Sequence, residues 1–356
     1  MTLKSTSLLL LKQSPKLIFL LELDLLIYTK FVLSDYQEIH FMNHPHLSDL
    51  VQAHKVIEPY IHRTPVFTSQ LLNKLLRCEL FFKCENLQKV GAFKYRGATH
   101  AVLQLTAEGR TRGVATHSSG NHAAALALAA ALQGMAAHIV MPKNAPAVKV
   151  EAVKAYGGII HFCEPTLQAR ESGLHKVTQQ TGATFIHPYD NFNVVCGQGT
   201  ACLELFYQID EPDIMMAPVG GGGLLSGTAI AAKGIWKNVK VFGTEPAEAN
   251  DAYLSFHQQK LIPVQSTNTI ADGLRTSLSP FTFSIISEKV DDILTCSEDN
   301  IVQAMRQVYQ YLKLVIEPSS AVPLATIIEN KERFAGKKVA IIISGGNVDL
   351  NNLPFK

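Results

Sequence analysis

The sequence has few charged residues and no concentration of charge of either sign. Charged residues make up 17% of the chain, the formal net charge is +2, and no run of five basic residues occurs. Proteins that bind nucleic acid or an anionic membrane surface through charge need a basic patch or stripe. The charge pattern therefore predicts neither a nucleic-acid partner nor a membrane partner.

Cysteine is also sparse, and its spacing gives no sign of metal or redox chemistry. None of the six cysteines forms a CxxC pair; they are Cys78, Cys84, Cys163, Cys196, Cys202 and Cys296. Zinc knuckles and dithiol redox centres are built from such pairs, so both are disfavoured. Scattered free thiols are typical of a reducing compartment, which predicts a cytoplasmic location.

No apolar run is both long enough and free enough of charge to cross a membrane. The segment of residues 17–28 is apolar but contains Glu22 and Asp24. A spanning helix needs about 20 mostly apolar residues and tolerates central acids poorly. Signal and transit peptides fit the segment no better. We interpret residues 1–41 as a poorly ordered extension, and a true start at Met42 stays open.

Internal repeats and low-complexity tracts are absent; the chain instead alternates apolar strands with helices. The predicted strands follow Gly113 and read VATHS, AHIVMP, GIIHFCE, ATFIHP, DIMMAPV, VKVFGTEP and KKVAIIIS. Strands rich in β-branched residues, joined by helical crossovers, form parallel sheets that are covered on both faces. The pattern predicts two open, mostly parallel α/β domains with a cleft between them.

One lysine stands in an apolar setting. Lys94 lies in KVGAFKYRGA, residues 89–98. Burial disfavours an ammonium ion, lowers the lysine pKa and frees the amine to attack a carbonyl. Most lone lysines are solvated surface charges. The hypothesis that Lys94 is a reactive amine therefore depends on three further segments. These are SSGNH at 118–122, GGGG at 220–223 and SGGN at 344–347.

The four glycines join a predicted buried strand to a helix. They are Gly220, Gly221, Gly222 and Gly223. Without side chains they permit positive φ and turn several amide groups toward one point, at a helix N-terminus that favours an anion. A flexible turn is the alternative, but such turns rarely join a buried strand to a helix. We predict a phosphate site, and the missing lysine of GxxxxGK[ST] loops disfavours a nucleoside triphosphate there.

Together these segments resemble the fold-type II pyridoxal-phosphate enzymes, in particular their serine racemase and serine/threonine dehydratase branch. The resemblance runs from about His46 to Asp349. It implies a tryptophan-synthase-β-like fold with pyridoxal 5′-phosphate in the cleft, a homodimer, and a small hydroxy amino acid as substrate. It further implies a large cofactor domain of residues 42–112 plus 192–356 and a small substrate domain of residues 113–191.

The resemblance assigns roles around the cofactor. Lys94 would bond to the cofactor aldehyde and, once released by the substrate amine, would act as general base at the α-carbon. Phe93 would pack beneath the pyridine ring. Ser344, at the carboxyl end of the strand KKVAIIIS, would hydrogen-bond the ring nitrogen. A neutral hydroxyl does not enforce ring protonation, so this arrangement favours β-elimination and simple proton transfer over transamination.

Substrate contacts are assigned to SSGNH and to one arginine. Ser118, Asn121 and His122 carry over as contacts to the substrate carboxylate and the cofactor ring. Ser119 matches the serine that acts in serine racemases as a second acid/base opposite the lysine, where many threonine dehydratases have alanine. A serine at a helix start is also a common N-cap. Arg170 matches an arginine near the closed site, or is an ordinary surface residue.

A divalent cation is implied by GTEPAEAND. Glu245 and Asp251, with the backbone carbonyl of Ala249 between them, offer the hard oxygen ligands that Mg²⁺ and Ca²⁺ prefer. The spacing matches the cation site of serine racemases, for which Mn²⁺ is a further candidate. Without the resemblance, two acids around a turn would carry little weight.

Two residues leave the reaction open. Tyr189 stands where many serine racemases have asparagine and where dehydratases commonly have tyrosine or phenylalanine. Ser119 permits racemisation without requiring it. The resemblance favours an L-serine/L-threonine dehydratase (ammonia-lyase) that releases a 2-oxo acid and ammonia. A serine racemase, alone or bifunctional, and a threo-3-hydroxyaspartate dehydratase remain as alternatives. Serine and threonine differ by one methyl group, and the sequence does not rank substrates that differ so little in size.

Functions of other kinds are disfavoured. A binding protein that had lost catalysis is expected to lack the lysine, the glycine loop or the ring-nitrogen partner, and all three are present. A β-replacement enzyme such as a cysteine synthase carries SVKDR-like and SGNTG-like segments in place of AFKYRGA and SSGNH. The chain stops soon after SGGN, so we do not expect control by amino-acid end products through an appended regulatory domain.

Overall fold

The computed structural model describes residues 44–355, and the predicted extension of residues 1–41 lies outside them. Within residues 44–355 the chain forms two separate sheets of six and four strands. The larger sheet contains β1 (Val66–Phe67), β2 (Glu79–Cys84), β7 (Ile214–Pro218), β8 (Lys240–Pro246), β9 (Asp292–Cys296) and β10 (Lys338–Ile343). The smaller contains β3 (Val114–His117), β4 (Ala137–Pro142), β5 (Ile159–Cys163) and β6 (Thr184–Phe185).

Helices separate nearly all of these strands. Those before residue 190 are α1 (Leu47–Ile57), α2 (Gln70–Leu76), α3 (Lys94–Leu103), α4 (Ala107–Arg112), α5 (Asn121–Ala131), α6 (Ala147–Ala155) and α7 (Leu167–Thr181). Those after it are α8 (Phe192–Phe206), α9 (Gly223–Ile235), α10 (Asp251–Gln258), α11 (Pro280–Lys289), α12 (Glu298–Gln307), α13 (Pro318–Glu329) and α14 (Lys331–Phe334). No helix among the described residues combines the length and the apolar run that crossing a bilayer requires.

The strand order confirms the predicted parallel α/β fold. The larger sheet runs β1-β2-β10-β7-β8-β9 and the smaller β5-β4-β3-β6. Every pairing is parallel except that of β1 with β2. The last strand, β10, lies between β2 and β7, and its residues Val339–Ile343 are fully buried. Continuous apolar strands of this kind are typical of sheets covered on both faces.

Several predicted site segments follow directly from the carboxyl ends of strands. Ser118 follows β3, the glycine loop follows β7 with one residue between, and Ser344 follows β10. Ligand groups in open α/β sheets gather at this edge. All four strands of the smaller sheet fall between residues 114 and 185. The predicted domain boundaries themselves stay a prediction.

Candidate active site

The amine of Lys94 is held at the start of α3. Its Nζ donates to the carbonyl of Pro188 at 2.9 Å and lies 5.0 Å from the centroid of the Phe93 ring. Burial lowers the pKa of Lys94 to about 8, while the nearby Glu317 carboxyl opposes that shift. A useful fraction of the amine is therefore neutral and nucleophilic near neutral pH.

The loop that precedes Lys94 is strained and externally braced. Val90 has φ 56° and Gly91 has φ 70°, although a β-branched residue rarely adopts a left-handed conformation. The SGGN segment holds this loop: the Asn347 amide donates to the Val90 carbonyl at 2.7 Å, and the Phe93 amide donates to the Ser344 carbonyl at 3.0 Å. Such strain, on the order of 1–3 kcal/mol, persists only where neighbours over-determine the conformation.

The glycine loop has the form of an anion cradle. Gly222 has φ 86° and caps the N-terminus of α9. A Cβ on Gly221 would lie 2.2 Å from Cδ1 of Tyr189, so only glycine fits beneath that ring. The amides of Gly220–Gly222 donate none of the backbone hydrogen bonds found in the described loops. Free amides at a helix N-terminus fit a phosphate group, and the phosphate site stays a prediction.

Ser344 lies buried where β10 ends. Its hydroxyl is 2.9 Å from the Ser320 hydroxyl, and Ser320 also bonds both the amide and the carbonyl of Gly345. These contacts fix the hydroxyl at the strand end, close to the Lys94 loop. The position is suitable for a partner of a heterocyclic ring nitrogen.

Glu317 is a site residue that sequence analysis missed. It immediately precedes α13, and its Oε1 accepts a hydrogen bond from the Asn121 side chain at 2.8 Å. Burial and then the nearby Asp272 charge raise the pKa of Glu317 to about 8. The carboxyl group is therefore largely protonated at neutral pH. Asn121 Oδ1 accepts from Asn347 at 2.9 Å, so its amide orientation is fixed from both sides.

The SSGNH segment forms the turn from β3 into α5. Gly120 is the N-cap of α5, and no side chain caps that helix. The alternative interpretation of Ser119 as the helix cap is therefore wrong. Ser118 accepts a hydrogen bond from the Gly120 amide at 3.3 Å, and Ser118 and Ser119 are both half-buried.

Two neutral histidines lie near Lys94. Burial, and then the Lys94 charge, lower the pKa of His122 to about 3, and its Nε2 is 3.1 Å from the Ile186 carbonyl. Burial lowers the pKa of His187 to about 4. The Asp190 amide donates to Nδ1 of His187 at 2.8 Å, which leaves the ring proton on Nε2. Neither imidazole adds positive charge to the site at pH 7.

Arg170 lies on α7, which packs against β3 and β4 of the smaller sheet. Burial lowers the pKa of His117, and the Arg170 charge lowers it further, which places the guanidinium near the end of β3. Arg170 is half-buried, and its Nε is buried without a hydrogen-bond partner among the described residues. No contact joins Arg170 to Lys94 in that part of the chain.

The predicted cation ligands lie together around the turn between β8 and α10. Glu245 accepts from the amides of Ala252 and Tyr253, while both oxygens of Asp251 are buried without hydrogen-bond partners in residues 44–355. Burial and then Asp251 raise the pKa of Glu245 well above its usual range, and burial raises the pKa of Asp251 to about 7. Two buried acids that lack a cationic partner fit a hard cation, and the buried Ala249 lies within the same turn.

That site has two side-chain ligands only. No group of three or more His, Cys, Asp or Glu side chains suited to a metal occurs in the described part of the chain. The cation assignment therefore depends on Glu245, Asp251 and a backbone carbonyl, and it stays a prediction.

The structure gathers most, but not all, of the predicted residues. Lys94 contacts the Phe93 ring, the Phe93 amide bonds Ser344, and Asn121 reaches the same loop through Asn347. The glycine loop joins them through Tyr189 and its neighbour Pro188. Arg170 and the cation ligands lie outside this set of contacts. The residues that sequence analysis missed are Pro188, Glu317, Ser320 and Asn347.

Comparison with known proteins gives one family throughout. The family model "Pyridoxal-phosphate dependent enzyme" matches residues 57–345. A β-hydroxyaspartate dehydratase from Paracoccus denitrificans is 47% identical over 311 residues, which cover 87% of this chain and 99% of that protein. A serine racemase from Arabidopsis thaliana is 50% identical over 307 residues, covering 85% and 93%. The crystal structure of a serine racemase from Dictyostelium discoideum is 49% identical with a TM-score of 0.82, covering 86% of this chain and 99% of that one.

Proposed function

The chain belongs to the pyridoxal-phosphate dependent enzyme family, and on that premise we propose that it is an ammonia-lyase acting on short β-hydroxy L-amino acids. L-Serine and L-threonine are the proposed substrates. The observation that carries the proposal is the Lys94 amine, whose pKa of about 8 suits a nucleophile and a base near neutral pH. Elimination needs a single base on one face of the substrate, and Lys94 supplies it.

The chain's residues divide the work around the cofactor. When bound, pyridoxal phosphate would stabilise negative charge at the α-carbon of an amino acid. The free amides of Gly220–Gly222 would hold its phosphate, Ser344 its ring nitrogen, and Phe93 one face of its ring. Lys94 would take the α-proton and pass it to the departing β-hydroxyl, which leaves as water. The released enamine would hydrolyse to a 2-oxo acid and ammonia.

Serine racemisation is a second candidate, and the position of Ser119 favours it. Because Gly120 caps α5, the half-buried Ser119 hydroxyl is not used by the helix. It would return a proton on the face opposite Lys94, and such a second proton carrier is the one group that racemisation adds to elimination. Tyr189, in the position where dehydratases commonly have an aromatic residue, favours elimination as the main reaction.

Hydroxyaspartate elimination is a third candidate, supported by Arg170. Its guanidinium has a buried Nε without a partner in residues 44–355, and a substrate with a second carboxylate would supply one. The similarity to a β-hydroxyaspartate dehydratase also supports this substrate.

Substrate profiling of the purified holoenzyme tests the proposal. L-Serine, L-threonine and L-threo-3-hydroxyaspartate would be assayed for their 2-oxo acids and ammonia, and L-serine also for D-serine. We expect the 2-oxo acids to form and Lys94→Ala to abolish them, whereas the nearby Lys89→Ala retains activity. If no short hydroxy amino acid gives a product, the proposed function is wrong.

Three accompanying properties belong to the same proposal. A divalent cation, Mg²⁺ or else Ca²⁺ or Mn²⁺, would be held by Glu245, Asp251 and the Ala249 carbonyl. The protein would be cytoplasmic, as its free thiols indicate, and it would form a homodimer. Sedimentation of the holoenzyme tests the last point directly.

A further inference from the structure

A cavity lies away from the Lys94 site. It has a volume of about 340 Å³ and is lined by His54, Glu58, Ile61, Arg63, Glu204 and Tyr207. These residues come from the end of α1, the segment after it and the end of α8. A volume above roughly 300 Å³ suffices for a small-molecule ligand. None of the proposed catalytic steps uses any of these residues.

The outer walls of the cavity carry two opposite charges. Glu58 and Arg63 are exposed, five positions apart, and no ion pair joins them to each other or to any other described residue. Ile61 and Tyr207 add apolar surface between these charges. A ligand that carries both a cation and an anion beside an apolar group matches this lining.

The inner wall is a buried, electrically balanced cluster. Glu204 Oε2 lies 3.0 Å from Lys83 Nζ and also contacts Arg96, and Arg96 binds Glu85 through two hydrogen bonds of 2.7 and 2.8 Å. The charges of the two cations and the two anions cancel, so this wall favours neither a cationic nor an anionic ligand. His54 also lines the cavity; burial, and then Arg96, lower its pKa, so its ring is neutral as well.

We propose that this cavity binds a small α-amino acid in its zwitterionic form, with an apolar side chain. Arg63 would bind the carboxylate and Glu58 the ammonium group, while the side chain would contact Ile61 and Tyr207. A singly charged ligand would leave either Glu58 or Arg63 without a partner, so it matches the walls less well.

The inner wall connects the cavity to the active site. Glu204 contacts Arg96, and Arg96 lies two residues after Lys94 on α3. The cavity wall is therefore joined, through Glu204 and Arg96, to the helix that carries the reactive amine.

Binding is measured on holoenzyme in which borohydride has fixed the cofactor to Lys94, so that an added amino acid cannot react there. L-Leucine and L-valine serve as probes in calorimetric titration and thermal shift. We expect saturable binding, weakened about tenfold or more by Arg63→Gln and by Glu58→Gln, since each removes one charge-assisted contact. Arg112→Gln and Glu108→Gln are matched controls, because they remove an exposed pair elsewhere.

Two ligand analogues separate the charge requirement from simple apolar binding. L-Leucine methyl ester lacks the carboxylate and N-acetyl-L-leucine lacks the ammonium group, and each should bind about tenfold more weakly or worse. The proposal fails if neither amino acid saturates by about 10 mM, if both charge variants bind normally, or if both analogues bind as well as leucine. No turnover is measured, so the result is independent of the proposed reaction.

Discussion

Ser119 and Gly120 divide two tasks that a single serine often performs. Gly120 occupies the N-cap position of α5, and Ser119 keeps its hydroxyl for other contacts. The two residues are adjacent, just after the carboxyl end of β3. The backbone of this turn therefore determines where the Ser119 hydroxyl lies. The chemistry of this position can therefore be changed without removing a helix cap.

Replacing Ser119 with alanine separates the two leading reactions. We expect D-serine formation to fall about a hundredfold or more, because general acid–base groups contribute on this scale. Pyruvate formation from L-serine should stay within severalfold of the native rate. Chiral chromatography and a pyruvate assay measure both products, with the exposed Ser172→Ala as control. Equal loss of both products would show that Ser119 binds substrate and does not transfer protons.

Glu317 gives the fold a pH dependence of definite sign. Its pKa is about 8 in the folded chain, against about 4.3 for an unfolded glutamate. Between these values the folded state binds more protons than the unfolded state, so this group's contribution to stability falls as pH rises from about 4.3 to 8. We expect the Tm of both proteins to fall between pH 5 and pH 8. The fall should be smaller for Glu317→Gln than for the native protein, and the two falls should differ by about 2 °C or more.

The control for that comparison is Glu332→Gln, since Glu332 is exposed. Parallel pH profiles of native protein and Glu317→Gln would show that the Glu317 carboxyl is ionised throughout the range. Glutamine keeps an oxygen that can accept the hydrogen bond from Asn121, so the variant changes the titration while preserving this contact.

At the scale of elements, the glycine loop and the Tyr189 loop fit each other closely. The side chain of Tyr189 lies where a Cβ on Gly221 would be, and Thr282 of α11 donates to the Gly221 carbonyl at 2.9 Å. A side chain on the loop must therefore displace the tyrosine that stands beside Pro188, the hydrogen-bond partner of Lys94.

Gly221→Ala should weaken cofactor retention about tenfold or more, because a 2.2 Å contact cannot persist and a ring must move. Dialysis followed by absorbance of the bound cofactor measures it. Gly134→Ala is the matched control: its φ of +67° is strained for alanine, but no atom lies within 4 Å of the new Cβ. Tyr189→Ala in the Gly221→Ala background should restore part of the retention, and failure to do so would place the clash elsewhere.

The elements that sequence predicted were those with uninterrupted apolar patterns. β4, β7 and β10 were all predicted within a residue or two of their bounds. β2 was not, because its buried Lys83 pairs with Glu204 on α8, and no local pattern reveals that partner. Lys94, the glycines and Ser344 were found as motifs. Glu317 was missed, because its role depends on Asn121, which is 196 positions away.

At the scale of the whole molecule, the two buried acids of the proposed cation site carry an electrostatic cost. Glu245 and Asp251 are buried, mutually repelling acids without a cationic partner in residues 44–355. Charges buried in this way destabilise the fold unless a counter-ion is supplied. The stability of the full chain should therefore depend on divalent cations.

We expect a chelator to lower the Tm of the native protein and added Mg²⁺ to restore it. A ligand that binds only the folded state stabilises it by an amount that grows with the logarithm of its concentration over Kd, about 2.7 kcal/mol at a hundredfold excess. Asp251→Asn should abolish the response to Mg²⁺, while Asp299→Asn, an exposed change in α12, should preserve it. If neither the chelator nor Mg²⁺ changes the Tm of the native protein, the proposed site is wrong.

The order of the strands has a consequence for biosynthesis. β10 enters the centre of the larger sheet, and the residues just after it brace the loop that holds Lys94, through the Phe93–Ser344 and Val90–Asn347 hydrogen bonds. Until residue 347 has left the ribosome, the larger sheet lacks the strand between β2 and β7. The Lys94 loop also lacks its hydrogen bonds to Ser344 and Asn347. We therefore expect the lysine loop to reach its final form only after residue 347 has emerged, and a message truncated before codon 344 to yield a product that retains the vitamin B6 derivative poorly.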